Sequence, residues 1–236
     1  MDHSIKAVIF DLDDTLFDHR HSVQAGLRML QQTNQNLQQW PLEDLTNTYT
    51  NLIDSLHPQV LQGLVTQEQA RIQRMQGLFS RYNQPLSVDE ARSSADRYRK
   101  AYRAARQPVA GVMALLEYLR PRVKIGVITN NTSREQHEKL DMCGLTLWID
   151  VVVISEEVGF IKPDPAIFKI ALEQLGCGPE QAVMVGDSWK VDVLGARGAG
   201  IRPVWFNRFG LPNPEEAMMI DTLEPAESIA ALLLKL

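Results

Sequence analysis

The chain has 236 residues, 44 % of them hydrophobic, and its 24 Lys and Arg against 29 Asp and Glu give a formal net charge of −5. That length suits one large domain or a core carrying a smaller one, and the apolar content exceeds that of a disordered chain. The acidic balance supplies no general attraction to nucleic acid or an anionic membrane, and no run is long and apolar enough to cross a bilayer.

The first apolar run, Ala7 to Phe10, opens the stretch KAVIFDLDDTLFDH, where a strand-length segment runs into Asp11, Asp13 and Asp14. Three carboxylates in four residues repel one another, and burying them requires a cation or a proton. They form either a wet acidic turn or a site that holds a metal and moves protons. From about Arg20 to Arg106 the pattern changes to Gln-, Leu-, Arg- and Glu-rich helix, with breaks expected near Pro41, Pro58 and Pro85. In its last helix Ala91, Ala95, Tyr98, Ala101, Tyr102 and Ala105 form a three-four stripe. Arg92, Arg97, Arg99, Lys100, Arg103 and Arg106 largely avoid that stripe and read as a solvated face.

Beyond residue 106, strand-length apolar runs alternate with helical patterns. A helix is expected over Pro108 to Leu119, then a strand over Ile125 to Thr129. Ser133 and Gln136 have the spacing of a capping box opening a helix toward Leu140. Val151 to Ile154 reads as a strand, and Pro165 to Leu175 as a helix capped by Asp164 and ended by Gly176. Ala182 to Val185 and Val204 to Phe206 complete the set. Nearly continuous β-branched runs suit parallel strands covered on both faces. The expected fold is therefore α/β, a doubly wound and mostly parallel sheet with an inserted all-helical region. Its core would comprise residues 1–18 and 107–236, and its insertion residues 19–106. An open parallel sheet binds ligands beyond the carboxyl ends of its strands, and the polar clusters fall there: Asp11 to Thr15, Thr129 to Asn131, and Gly186 to Ser188, with Lys162 in the loop before a helix.

Cys143 and Cys177 form no CxxC pair, which suits free thiols in a reduced compartment while leaving a disulfide open. The segment MDHSIKAVIF has an acidic second residue and a short apolar run, unlike a secretory signal, so the expected location is cytoplasmic. The histidines have no zinc-like spacing, and Trp189 could equally line a pocket or pack in the core.

Four motifs in order, DLDDT at 11–15, ITNN at 128–131, IKPDP around Lys162 and GDSWKVD at 186–192, resemble the haloacid dehalogenase-like (HAD) hydrolase superfamily. The resemblance spans the chain, and the insertion is similar to the helical cap called type 1 in that family. It implies Asp11 as nucleophile, forming an aspartyl-phosphate that water then hydrolyses, and Asp13 as general acid/base. It implies Mg²⁺ as cofactor, held by the Asp11 side chain, the Asp13 main-chain oxygen and Asp187, a donor set suited to a hard cation. Thr129, the Asn130 backbone N–H and Lys162 would bind the substrate phosphate, with Lys162 offsetting charge during transfer. Asp192 would orient the site, or else hold Lys162 or a loop amide, and Asp14 reads as a turn or cap group. Dehalogenases of the superfamily usually carry Tyr where this chain has Asp13, so the acid points to phosphoryl chemistry.

The expected activity is Mg²⁺-dependent hydrolysis of a small phosphomonoester, a nucleoside 5′-monophosphate or a sugar phosphate. The DLDDTLFDH start is similar to the subgroup of pyrimidine 5′-nucleotidases and the N-acylneuraminate-9-phosphate phosphatase. A mobile cap would present specificity residues, with Arg20, His21, Arg74 and Arg81 among the candidates. The alternatives are a phosphomutase, a metal-independent 2-haloacid dehalogenase and a non-catalytic phosphate-binding protein. The expected partner is a small phosphorylated metabolite, with neither nucleic acid nor membrane, the chain acting as monomer or homodimer.

Overall fold

β1 (Ala7–Phe10) consists of four apolar residues with no exposed surface, as a strand covered on both faces requires. In the computed structural model, which describes residues 4–214 and 217–236, the chain leaves the sheet region after Asp18 and returns at Gln107. It forms two compact units, Met1–Asp18 with Gln107–Leu236, and His19–Arg106.

The second unit is helical: α1 (His19–Thr33), α2 (Gln35–Gln38), α3 (Leu42–Leu61), α4 (Gln67–Arg81) and α5 (Val88–Ala104). Local chemistry starts these helices. Asn34 accepts from the N–H groups of Asn36 and Leu37, and capping boxes formed by Thr66 with Gln69 and Ser87 with Glu90 open α4 and α5. Pro58 does not break the chain as expected but lies inside α3. It sits one turn from the end, where it forfeits one intrahelical bond without splitting the helix. α5 buries Ala91, Ser94, Ala95, Tyr98 and Tyr102, and Tyr49 of α3 packs on Tyr98 with ring centroids 4.7 Å apart. Arg106 departs from the expected solvated face: it is buried, its guanidinium 5.6 Å from the Tyr102 ring centroid.

The first unit continues with α6 (Val112–Leu119), β2 (Lys124–Thr129), α7 (Ser133–Met142), β3 (Val151–Ile154), α8 (Ser155–Val158) and α9 (Pro165–Leu175). β4 (Ala182–Gly186) leads through a π-helical turn at Trp189–Val193 into α10 (Leu194–Gly198), β5 (Arg202–Phe206), β6 (Met219–Ile220) and α11 (Ala226–Leu234). α6 begins four residues later than its pattern predicts. Pro108 instead bridges Phe17, and the Val109 N–H donates to the Leu16 carbonyl, so this segment is extended against the loop after β1. β6 is two residues long, too short to show a period.

The six strands form one parallel sheet in the order β3-β2-β1-β4-β5-β6. Ala7, Ile9, Ile128, Val153 and Met184 share one apolar cluster with Ile167, Phe168, Ala171, Leu172 and Leu175 of α9. Val8 and Phe10 alternate to the other face and are equally buried. The order places β1 between β2 and β4, so the carboxyl ends of all three lie side by side on one edge. Cys143 and Cys177 are not joined in a disulfide.

Candidate active site

Asp11 follows β1 directly and is held in register when its N–H donates to the Val185 carbonyl at 2.9 Å. The Lys162 ammonium, 2 % exposed, reaches Asp11 Oδ1 at 2.6 Å and Asp192 Oδ1 at 2.7 Å. Its backbone is fixed by Asn130, whose Oδ1 accepts from the Lys162 N–H at 2.8 Å and whose Nδ2 donates to the Lys162 carbonyl at 2.9 Å. The side chain of Asn130 therefore positions the lysine. Burial alone would lower the affinity of Lys162 for its proton, but Asp11 and Asp192 override it, and the group is held more basic than usual.

The other acids gather at the same edge. One ligand oxygen each of Asp11, Asp187 and Asp192 lie within 4.8 Å of one another. Burial pushes the Asp11 carboxyl up to about 7; Lys162 opposes the rise, and Asp192 and Asp13 add to it. Asp187 is raised well above the carboxylate range, first by burial and then by repulsion from Asp11, Asp192 and Asp14. Two loop contacts fix Asp187: its N–H donates to Thr15 Oγ1 at 3.2 Å, and Trp205 Nε1 donates to its carbonyl at 2.8 Å. Trp189 packs edge-on against Trp205, with centroids 5.4 Å apart.

Asp192 is engaged through both oxygens, one to Lys162 and the other to the Ser188 N–H at 3.0 Å. Asp11 and Asp187 are then the carboxylates left to face a cation. One ammonium against three clustered carboxylates leaves a surplus of negative charge, and a hard divalent ion that prefers oxygen and keeps several waters fits that donor set. Gly186 makes the arrangement possible: a Cβ there would fall 2.5 Å from Asp192 Cβ, Cγ and Oδ2.

Asp13 lies apart from this trio. Its carboxyl oxygens accept from Lys139 Nζ at 2.6 and 2.8 Å and from Gln136 Nε2 at 3.1 Å. The same Nε2 donates to Thr129 Oγ1. A hydroxyl that accepts in this way keeps its own proton to offer elsewhere. Gln136 thus does not close the expected capping box. Thr132 is the N-cap and makes no side-chain cap bond, while Ser133 pairs with Glu156 and Glu157 instead. Motif reading does not find Gln136 and Lys139, which the structure places against Asp13, with Gln136 also reaching Thr129. The signal was present: with Leu140 and Cys143 they occupy one three-four stripe, so two polar residues stand in core positions of α7.

Asp14 has φ +61°, the left-handed turn conformation, and its Oδ1 lies 3.7 Å from Arg208 Nη1, while Arg208 Nη2 pairs with Asp18 at 3.2 Å. Among the residues expected to line a cap, Arg20 pairs with Glu43, and the Arg74 charge lies beside the Tyr49 phenol.

This fold and edge define an established class. A family model for haloacid dehalogenase-like hydrolases matches residues 5–200, and the chain belongs to that family of enzymes. Among its relatives is the pyrimidine 5′-nucleotidase YjjG of Escherichia coli, 34 % identical over 166 residues, 70 % of this chain and 73 % of that protein. The N-acylneuraminate-9-phosphatase of Homo sapiens is 37 % identical over 101 residues, 42 % of this chain and 41 % of that one. Among solved structures, the HAD-hydrolase YfnB of Bacillus subtilis, bound to magnesium and showing interdomain movement, superposes with a TM-score of 0.75 at 25 % identity. That match covers 96 % of this chain and 99 % of YfnB.

Proposed function

We propose that this chain is a Mg²⁺-dependent phosphatase that hydrolyses a small phosphomonoester through an aspartyl-phosphate on Asp11. The observation that carries the reading is the meeting of Asp11, Asp187 and Lys162 at one sheet edge, with a carboxylic acid at position 13. An Asp11 oxygen attacks phosphorus, the bond to the leaving oxygen breaks, and Asp13 gives that oxygen its proton, releasing the alcohol. Asp13, now a carboxylate, takes a proton from water as the water oxygen attacks the same phosphorus. The bond to Asp11 breaks, inorganic phosphate leaves, and both acids return to their starting forms. The sum is ester plus water to alcohol plus phosphate. Thr129, the Asn130 N–H and Lys162 bind the phosphoryl oxygens, and Lys162 offsets charge on them. The side chains of Asp11 and Asp187 and the main-chain oxygen of Asp13 would hold Mg²⁺, which when bound screens phosphoryl charge. Asp192 and Asn130 position Lys162.

The substrate class is a nucleoside 5′-monophosphate or a sugar phosphate, the chemistry named in the relatives. Residues 19–106 would form the helical cap domain, and residues 1–18 with 107–236 the catalytic core. The proposed setting is the cytoplasm, with small phosphorylated metabolites as substrates; among the described residues no helix is long and apolar enough to cross a membrane.

The test is a screen of nucleoside monophosphates, sugar phosphates and small organic phosphates, ranked by kcat/KM with Mg²⁺ and after chelation. Phosphate release that requires Mg²⁺ is expected. Isomer exchange of a sugar phosphate, or halide release from a 2-haloacid without metal, with no phosphate released, would replace this reading by a mutase or a dehalogenase.

A further inference from the structure

We infer that Lys139 and Gln136 of α7 are positioning residues that fix the Asp13 carboxyl beside Thr129 for proton delivery to the leaving group. This rests on the reading of Asp13 as the acid. Four observations carry it. Lys139 is 2 % exposed, yet its ammonium contacts both oxygens of Asp13, a group 126 residues away in sequence. Burying an ammonium is unfavourable unless a partner is held in good geometry, and the Phe17 ring, 5.2 Å from Nζ to its centroid, completes the enclosure. Gln136 is fully buried and joins Asp13 to Thr129 through a single amide nitrogen. Its Oε1 is buried with no hydrogen-bond partner.

An apolar pair at 136 and 139 would pack α7 without leaving an orphaned oxygen or a buried charge. Local rules broken in a packed region are the mark of a functional constraint. The constraint here is geometric. Asp13 follows β1 in a short loop, and an Asp side chain has rotamers pointing to either side of that loop. The two α7 groups select the rotamer that places the carboxyl next to Thr129, and hence next to the phosphoryl group that Thr129 binds. Because α7 starts three residues after Asn130, the helix that follows the phosphate-binding motif also orients the acid.

The test separates proton delivery from structural support. Wild type, Lys139→Met, Gln136→Met and Asp13→Asn are compared by kcat/KM on two esters with Mg²⁺: p-nitrophenyl phosphate, whose leaving group departs unprotonated, and an alkyl phosphomonoester, whose leaving group needs a proton. kcat/KM reports only the steps through transfer to Asp11, so hydrolysis of the intermediate does not enter. Lys139→Met and Gln136→Met should each lower the alkyl ester's kcat/KM more than the aryl ester's, by a ratio on the order of tenfold, part of the loss for a missing acid. Lys139→Arg, which keeps the charge and can donate to both carboxyl oxygens, should recover part of that ratio and serves if the methionine variant does not fold. Equal losses on both esters in the α7 variants, with Asp13→Asn still selective, would overturn the inference and leave the acid assignment standing. An unselective Asp13→Asn would overturn both.

Discussion

Gly186 and Asp192 set the tightest tolerance in the site. The Asp192 side chain lies against the last residue of β4, where any Cβ would stand at 2.5 Å from three of its atoms. Those atoms are not free to move, because Asp192 bonds both Lys162 and the Ser188 N–H. Gly186→Ala must therefore shift Asp192, and through Lys162 the shift reaches Asp11. The expected result is a loss of stability of about 1–3 kcal/mol, as for other overpacked sites, together with a fall in kcat. Chemical denaturation and steady-state kinetics read the two effects, and wild-type values for both would contradict the linkage. The same residues show what motif reading yields. Asp11 and Asp187 are legible because each follows a strand-length apolar run, and Lys162 because it lies in the loop before a helical pattern. The hold of Asn130 on the Lys162 backbone is not, since it depends on how two loops face each other.

At the scale of the element, α7 and the α1–α5 pair show why some of the site and fold escaped the sequence. The period of α7 is readable, but which way its polar members turn depends on where β1 lies, so the spacing of Ser133 and Gln136 alone suggests a cap. A proline within a polar helical stretch signals an end, yet Pro58 lies near the end of α3, where its position lets the helix continue. α1 and α5 meet at Gly26, where a Cβ would stand 2.4 Å from the Tyr98 ring. Tyr98 is in turn packed on Tyr49 and Tyr102 and cannot retreat. Gly26→Ala is therefore expected to weaken the helical unit by about 1–3 kcal/mol while the sheet unit holds. Amide hydrogen exchange should quicken in α1 and α5 and stay slow in β1 and β4. Uniform acceleration across both units, or none, would contradict this placement.

At the scale of the molecule, the parallel sheet turns a scattered sequence into a site. Residues 11, 129 and 186 become neighbours because β1 stands between β2 and β4 and all three run the same way. That much follows from apolar runs and the rule that parallel sheets bind at their carboxyl edge; β6, with two residues, offered no period to read. The proposed mechanism requires that Asp11 carry the phosphoryl group during turnover. It is tested most directly by rapid acid quench of the enzyme turning over a phosphomonoester labelled at phosphorus, with Mg²⁺, followed by peptide mapping. Label is expected in the peptide containing Asp11, stable in acid and released by hydroxylamine, with no label or turnover in Asp11→Asn. Label on another residue, or sustained turnover by Asp11→Asn, would contradict it.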